Sequence, residues 1–163
     1  MFGYINQKLN ALYQTRIDAT GLAIFRIFWS LNFMGEVAEM LRFKELMFDR
    51  IPFVAPADIH HAHLLWIWIA VIALLTIGYK TTWMAIINYI LTVHFMGSTK
   101  MYEYHMFHAF LIVNFLLIFV GSGKVWSLDF LLKKWKYSSA RSEYHPSRTV
   151  PKLSYLIIAF WGI

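Results

Sequence analysis

The feature that most constrains the fold is an apolar run over residues 105–120, which ends at the glycine-rich turn Gly121-Ser122-Gly123. As an α-helix this run would extend for about 24 Å, which approaches the thickness of about 30 Å of a bilayer's hydrocarbon core. A polar aromatic cluster at residues 102–105 (YEYH) precedes the run, and Ser127-Leu128-Asp129 follows it. The pattern predicts a helix in an apolar environment with polar chemistry at both ends.

The composition favours a membrane protein. The 163 residues are 59% hydrophobic and 15% charged, whereas soluble domains are about 45–50% apolar and about 25% charged. The absence of cysteine excludes a disulfide framework, a zinc-thiolate site and a cysteine nucleophile. The net charge of +6 does not indicate a nucleic-acid partner, because the basic residues lie between apolar segments rather than along one stripe.

The apolar segments predict an all-α, polytopic transmembrane bundle in a single domain, residues 1–163. Its predicted spans are about residues 21–40, 63–78, 82–97 and 105–121, with an incomplete fifth over 152–163 that makes the chain look truncated at Ile163. Residues 1–17 carry Ile5, Leu9 and Leu12 at helical spacing among polar residues. This segment is predicted to be an amphipathic helix that lies along the membrane surface.

The distribution of basic residues predicts the orientation of the bundle. Most lysines and arginines outside the spans fall on the side of the N-terminus. Because cytoplasmic loops carry the excess of basic residues, we expect the N-terminus inside, in a bacterial inner membrane or an endoplasmic reticulum membrane. The lipid bilayer is then a partner of the chain, and the histidines near residues 60–63, 94 and 105–108 share the opposite side.

One arginine and two groups of histidines are the first candidates for chemistry. Arg26 in a membrane helix would cost about 2.5–3.5 kcal/mol, so it either forms a structural ion pair, extends to the surface, or contacts a ligand. His105 and His108 share a helix face at spacing i, i+3 and could position a base or carry a proton, or could merely bind interfacial water.

Two further patterns leave alternatives open. The run His60-His61-Ala62-His63 suggests metal binding and, with His105 and His108, a di-iron membrane oxygenase. These five histidines are fewer than such sites recruit and lack acidic partners, so a hydrated membrane interface at the start of the second span is the preferred interpretation. Asp129 follows the glycine turn and could either cap a short helix or pair with Lys124.

Taken together, four stretches resemble the N-terminal membrane region of the vitamin K-dependent gamma-carboxylase family, also called the HTTM domain. Residues 22–28 (LAIFRIF), which contain Arg26, are similar to the family's LAxFRxxxG opening, although Ser30 and Leu31 stand where a glycine is common. The other three stretches are residues 77–81 (IGYKT) with Gly78 and Tyr79, residues 102–105 (YEYH) with Tyr104, and Gly123 with residues 126–129 (WSLD), which include Ser127 and Asp129.

This resemblance implies a function. The family's enzymes use a reduced vitamin K or related quinol, oxygen and carbon dioxide to carboxylate glutamate in a protein substrate. A histidine at the entry of the fourth span assists and corresponds to His105. His108, Tyr104 and Arg26 are then candidate quinol contacts, and Gly78, Tyr79, Ser127 and Asp129 are residues of the structural motif.

One departure from the family limits this prediction. The family's base is a lysine in the fifth span, and the resemblance places it beyond Ile163, so that it has no counterpart in these 163 residues. We therefore expect the N-terminal portion of a carboxylase-like protein that is inactive as a fragment. The alternative is a non-enzymatic scaffold or partner-binding protein.

Overall fold

The computed structural model describes residues 2–44, 63–98, 105–139 and 147–159. Within these ranges the chain is mostly helical. The helices are α1 (Phe2–Gln14), α2 (Thr20–Arg42), α3 (His63–Ile77), α4 (Thr81–Ser98), α5 (His105–Leu117), α6 (Leu128–Ser139) and α7 (Lys152–Ala159), with strands β1 (Arg16–Asp18) and β2 (Thr149–Pro151) and a 3₁₀ turn, Ser122–Lys124.

The prediction of a transmembrane bundle is wrong. Within the described ranges, none of the helices combines the length and the apolar composition that crossing a bilayer requires. Helices α3 and α5 have 15 and 13 residues, short of the roughly 20 that a bilayer core demands. Helix α2 is long enough, with 23 residues, but carries Arg26, Glu36, Glu39 and Arg42. Without these spans, the predicted multi-pass localisation and its inside-outside orientation are wrong. The description as an HTTM membrane domain is wrong for the same reason.

The N-terminal and C-terminal segments are corrected in part. Helix α1 covers most of the predicted amphipathic segment and packs against α7 and β2. The incomplete fifth span, predicted to run to Ile163, is described as the eight-residue helix α7, which begins at Lys152 and ends at Ala159. Ile163 itself lies outside the described residues. Both helices therefore have protein neighbours, although Ile5, Leu9 and Tyr13 of α1 remain exposed. The predicted contact of α1 with a membrane surface stays a prediction.

Helices α2, α3, α4 and α5 pack consecutively and form the body of the structure. One core cluster lies where α2 begins and α5 ends, and it includes Leu22, Leu75, Leu117 and Val125. A second, aromatic cluster lies towards the opposite ends of these helices, where Trp68 stacks on Phe95 with ring centroids 4.9 Å apart. The two ends of the helical body therefore differ in chemistry.

A chain of neutral polar side chains links all four helices between these clusters. Trp29 Nε1 donates to Asn114 Oδ1 over 3.1 Å, and Asn114 Nδ2 donates to Thr92 Oγ1 over 3.0 Å. Thr92 donates to the carbonyl of Asn88, whose Oδ1 accepts a 2.8 Å bond from Trp68 Nε1. We call these five residues the amide network. Because buried polar groups are costly without partners, the network favours one alignment of the four helices.

A two-stranded antiparallel ladder joins the beginning of the chain to the segment before α7. Ile17 pairs with Val150, with Arg16 opposite Pro151 and Asp18 opposite Thr149. Tyr155 Oη also donates a 2.7 Å hydrogen bond to the carbonyl of Asp18. The ladder had no signal in the apolar pattern, because three-residue strands are too short to show an alternation.

Candidate functional site

Arg26 lies in the first core cluster with no exposed surface. Its guanidinium donates to the main-chain carbonyls of Ser122 over 2.8 Å, Trp126 over 2.6 Å and Thr76 over a longer 3.4 Å. Burial lowers the pKa of Arg26 from its ordinary value, and the negative charge of Asp129 partly offsets this. The contacts favour a structural role for Arg26, because its donors bind carbonyls from the end of α3 and from the turn after α5.

Three buried polar atoms around this arginine have no hydrogen-bond partner in the described part of the chain. They are Arg26 Nε, Ser30 Oγ one turn further along α2, and Ser122 Oγ. Buried polar atoms in native proteins are nearly always satisfied by protein or ordered water. The region around Arg26 therefore contains more buried polar atoms than the described hydrogen bonds satisfy.

The turn between α3 and α4 requires a glycine at position 78. The helix ends there with a left-handed φ of 80°, and the amides of Gly78 and Tyr79 both donate to the carbonyl of Leu74. A β-carbon on Gly78 would lie 2.5 Å from the Cβ of Ser127 and 3.0 Å from a guanidinium nitrogen of Arg26. A glycine is therefore required by both the backbone conformation and the available space.

Ser127 and Asp129 cap two different helices. Ser127 Oγ accepts a 3.0 Å bond from the amide of Phe130 in the first turn of α6 and donates to the carbonyl of Gly123. Asp129 Oδ1 accepts from the amide of Lys80, and Oδ2 accepts from the amide and hydroxyl of Thr81. Asp129 thus caps the start of α4, a helix distant in sequence.

We call the residues Arg26, Gly78, Ser122, Trp126 and Asp129 the arginine cluster. It brings together three of the four stretches that carry the family resemblance. The amide of Asp129 donates to the carbonyl of Gly78, and Trp126 adopts a left-handed φ of 49° as it bonds Arg26. Tyr79 lies half-buried beside this cluster.

The candidate histidines lie towards the other end of the helical body. Helix α5 begins at His105, and His108 is exposed on its second turn. His63 begins α3 and is exposed. Within the described ranges no group of three metal-ligating side chains is found.

Several residues named in the sequence-based predictions lie outside the described residues. They are Tyr104, His60, His61 and Ile163, the residue beyond which the resemblance places the family's base. The predicted quinol contact of Tyr104 and the position of the base therefore stay predictions.

An aromatic cleft lies at the same end of the helical body as the histidines. It has a volume of about 180 Å³ and is lined by Phe33, Trp68, Phe110, Met40, Met96, Glu36 and Glu39, among others. Phe33 packs on Trp68 and on Phe110, with ring centroids 5.4 and 4.8 Å apart. Two carboxylates beside a cleft of aromatic and methionine side chains can hold a flat ring with hydroxyl groups.

Comparisons with known proteins leave the resemblance as a prediction. No family model matches this chain. Neither a curated protein nor a solved structure matches it. A function for this chain is therefore inferred from the geometry of these residues.

The aromatic cleft and the amide network were not predicted from the sequence. Glu36 and Glu39 lie near the end of the predicted span 21–40, and their spacing places both on one side of α2. Asn88, Thr92 and Asn114 recur on α4 and α5 within apolar segments. Polar amides in such segments are the signal that could have revealed the network.

Proposed function

We propose that this chain is a quinol-binding helical module related to the vitamin K-dependent gamma-carboxylases. The observation that carries the proposal is the arginine cluster. Arg26, Gly78 and Asp129 come from three separate stretches of the resemblance, and each contacts a residue of another stretch. Residues distant in sequence that form one structural unit share a structural purpose, and this supports treating these three stretches as parts of a single motif.

The aromatic cleft is the proposed site of the quinol ring. Its volume of about 180 Å³ is below the roughly 300–1,000 Å³ of sites for drug-sized ligands, which favours a ring headgroup over a whole molecule with a tail. The rings of Phe33 and Phe110 and the carboxylates of Glu36 and Glu39 line it. The carboxylates can accept hydrogen bonds from quinol hydroxyls.

The candidate role of His105 follows from its place in the chain. Helix α5 begins at His105 and brings Phe110 to the aromatic cleft. In the family a histidine at this point assists quinol oxidation, and His105 is proposed to do the same. Carboxylation of a glutamate-containing protein further requires a base, so the activity proposed for this chain is binding.

Calorimetric titration with a reduced naphthoquinone that lacks a lipid tail tests the proposal. We expect saturable binding, weakened several-fold by Phe110→Leu and by His105→Ala. Phe115→Leu is the matched control, since Phe115 is exposed on the same helix. Absence of binding would overturn the function, and binding unchanged by His105→Ala would remove the role of that histidine.

A non-enzymatic, partner-binding protein is the second candidate, and the outer surface favours it. Trp66 on α3 and Trp83 on α4 are 63% and 65% exposed, and Ile90 is 59% exposed. Trp83 and Ile90 are seven residues apart on one side of α4, and exposed apolar patches mark surfaces that a protein partner, a membrane or a ligand can cover. Sedimentation tests this candidate with a second copy of the chain as the partner: it predicts a species heavier than 19.2 kDa that Trp83→Asn with Ile90→Asn dissociates, without any change in quinol binding.

A further inference from the structure

A second cavity lies beside the arginine cluster, at the end of the helical body opposite the aromatic cleft. Its volume is about 390 Å³, within the range of small-molecule sites. The 3₁₀ turn Ser122–Lys124 forms one side, and the first turn of α4 and the first two turns of α6 form the others. None of the residues assigned to quinol binding lines this cavity.

The polar lining of the cavity is cationic. Lys124 is partly buried, and its Nζ donates a 2.9 Å bond to the carbonyl of Thr149. Lys133 is exposed at the rim. Burial chiefly lowers the pKa of Lys124, and the positive charges of Arg16 and Lys133 lower it further. An anion placed between these groups would relieve their repulsion.

The carboxylate that lines this cavity is already engaged. Both oxygens of Asp129 accept hydrogen bonds from the start of α4, through the amides of Lys80 and Thr81 and the hydroxyl of Thr81. The carboxylate of Asp129 is therefore occupied by its hydrogen bonds to α4, the helix that it caps. Within the described lining, its single negative charge faces the two positive charges of Lys124 and Lys133.

The remaining lining residues divide into hydroxyl donors and an apolar wall. Thr82 and Ser147 are exposed and carry hydroxyls, the hydroxyl of Ser122 is buried, and Leu117, Ile118 and Phe130 carry the apolar surface. Lysine ammonium groups and hydroxyls bind phosphate oxygens, with lysine acting as a point charge. The apolar wall is suited to a ligand whose phosphate is attached to an apolar body.

We propose that this cavity binds the phosphate group of an organic phosphate ester, between Lys124 and Lys133, with the apolar part of the ester against Phe130 and Ile118. This chemistry is shared by soluble phosphate esters and by the headgroup of a phosphorylated lipid. The site is independent of the proposed quinol cleft, so either can fail without the other.

Titration calorimetry on the full chain tests the site with three probes. These are phenyl phosphate, a short-chain lysophosphatidic acid below its micelle concentration, and benzoate. We expect phenyl phosphate to bind at least tenfold more tightly than benzoate, because phosphate carries more charge on an otherwise similar ring. Binding of lysophosphatidic acid without phenyl phosphate identifies a lipid headgroup and also supports the site. Absence of binding by both phosphates, or equal binding of benzoate, overturns it.

Charge-removing variants locate the site. Lys133→Gln is expected to weaken phosphate binding at least tenfold, and Lys124→Gln at least as much. Lys134→Gln is the matched control, because Lys134 is the exposed neighbour of Lys133 on α6 and does not line the cavity. Since Lys133 is exposed, its replacement leaves the fold intact even where Lys124→Gln disturbs the bond to Thr149. If Lys133→Gln and Lys134→Gln weakened phosphate binding equally, the binding would depend on the net charge of the protein and not on this cavity. That result would overturn the proposal.

Discussion

The arginine cluster and the amide network both bury polar side chains between the same helices, but they satisfy them by different means. In the arginine cluster a charged guanidinium binds main-chain carbonyls at helix ends and turns. In the amide network neutral side chains bond mostly to one another, from one helix to the next along the middle of the helical body. The first therefore fixes how turns dock on the helical body, whereas the second fixes how the helices align.

The difference extends to how completely each group is satisfied. The side chains of Asn88, Thr92 and Asn114 are at most 1% exposed, and each takes part in a described bond. Arg26 Nε and the hydroxyl of Ser122 have no partner among the described residues. Because an unsatisfied buried polar group costs free energy, the arginine cluster carries a larger unfavourable contribution to folding than the amide network does.

The largest expected effect comes from removing the charge at the centre of the arginine cluster. Arg26→Ala should lower the free energy of unfolding by about 3–5 kcal/mol, since the carbonyls of residues 76, 122 and 126 lose this donor and a cavity opens. Urea denaturation measures the change. Arg42→Ala, at the exposed end of the same helix, should cost less than about 1 kcal/mol. Equal costs would show that Arg26 is not central.

Gly78→Ala is expected to rank next, at about 3 kcal/mol. The new β-carbon meets Ser127 and Arg26, and alanine is disfavoured at a φ of 80°. Gly35→Ala is the control, because a β-carbon there has nothing within 4 Å. That substitution lies within α2 and should stabilise by about 0.5–1 kcal/mol. Thermal melting of the two variants should thus show shifts of opposite sign.

Asn114→Ala tests the amide network and should cost about 2 kcal/mol. Trp29 Nε1 loses its acceptor, and Thr92 Oγ1 loses the donor Asn114 Nδ2 while it keeps its bond to the carbonyl of Asn88. The control is Asn32→Ala on the exposed face of α2, with an expected change of less than about 0.5 kcal/mol. A cost for Asn114→Ala above that of Arg26→Ala would reverse the ranking of the two groups of residues.

The smallest expected effect belongs to Asp129→Asn, at about 1 kcal/mol. The side-chain amide keeps the oxygen that accepts from Lys80, but its nitrogen cannot accept from Thr81, and the negative charge at the start of α4 is lost. A double-mutant cycle with Arg26→Met separates capping from charge. Independent costs would mean that Asp129 serves α4 alone, whereas a coupling above about 0.5 kcal/mol would show that its charge also stabilises Arg26.

The positions of the helices could be predicted from the sequence far better than the environment in which the helices lie. The apolar segments correspond to α2, α3, α4 and α5, because a helical period is a local property. The inference from apolar composition to membrane spans was wrong, because α3 and α5 are too short and α2 carries four charges.

The candidate site was predictable only in part. Arg26 stood out because an arginine in an apolar segment is rare, but its carbonyl partners belong to residues 76, 122 and 126. Every residue has a main-chain carbonyl, so the pattern of side chains does not indicate which carbonyls accept these hydrogen bonds. Asp129 was expected to cap a short helix or to pair with Lys124, whereas it caps α4 across 48 residues. Such long-range pairings follow from the packing of the chain.

The ladder between β1 and β2 bears on the order in which the chain can fold. Tyr155 and Asp18 bond across a sequence separation of 137 residues. Closing so long a loop costs conformational entropy, and proteins with many distant contacts fold slowly. During synthesis, Ile17 and its neighbours emerge long before Val150 exists to pair with them. In nascent chains stopped before residue 149, β1 and α1 should therefore lack a fixed position, because their partners β2 and α7 have not yet been made.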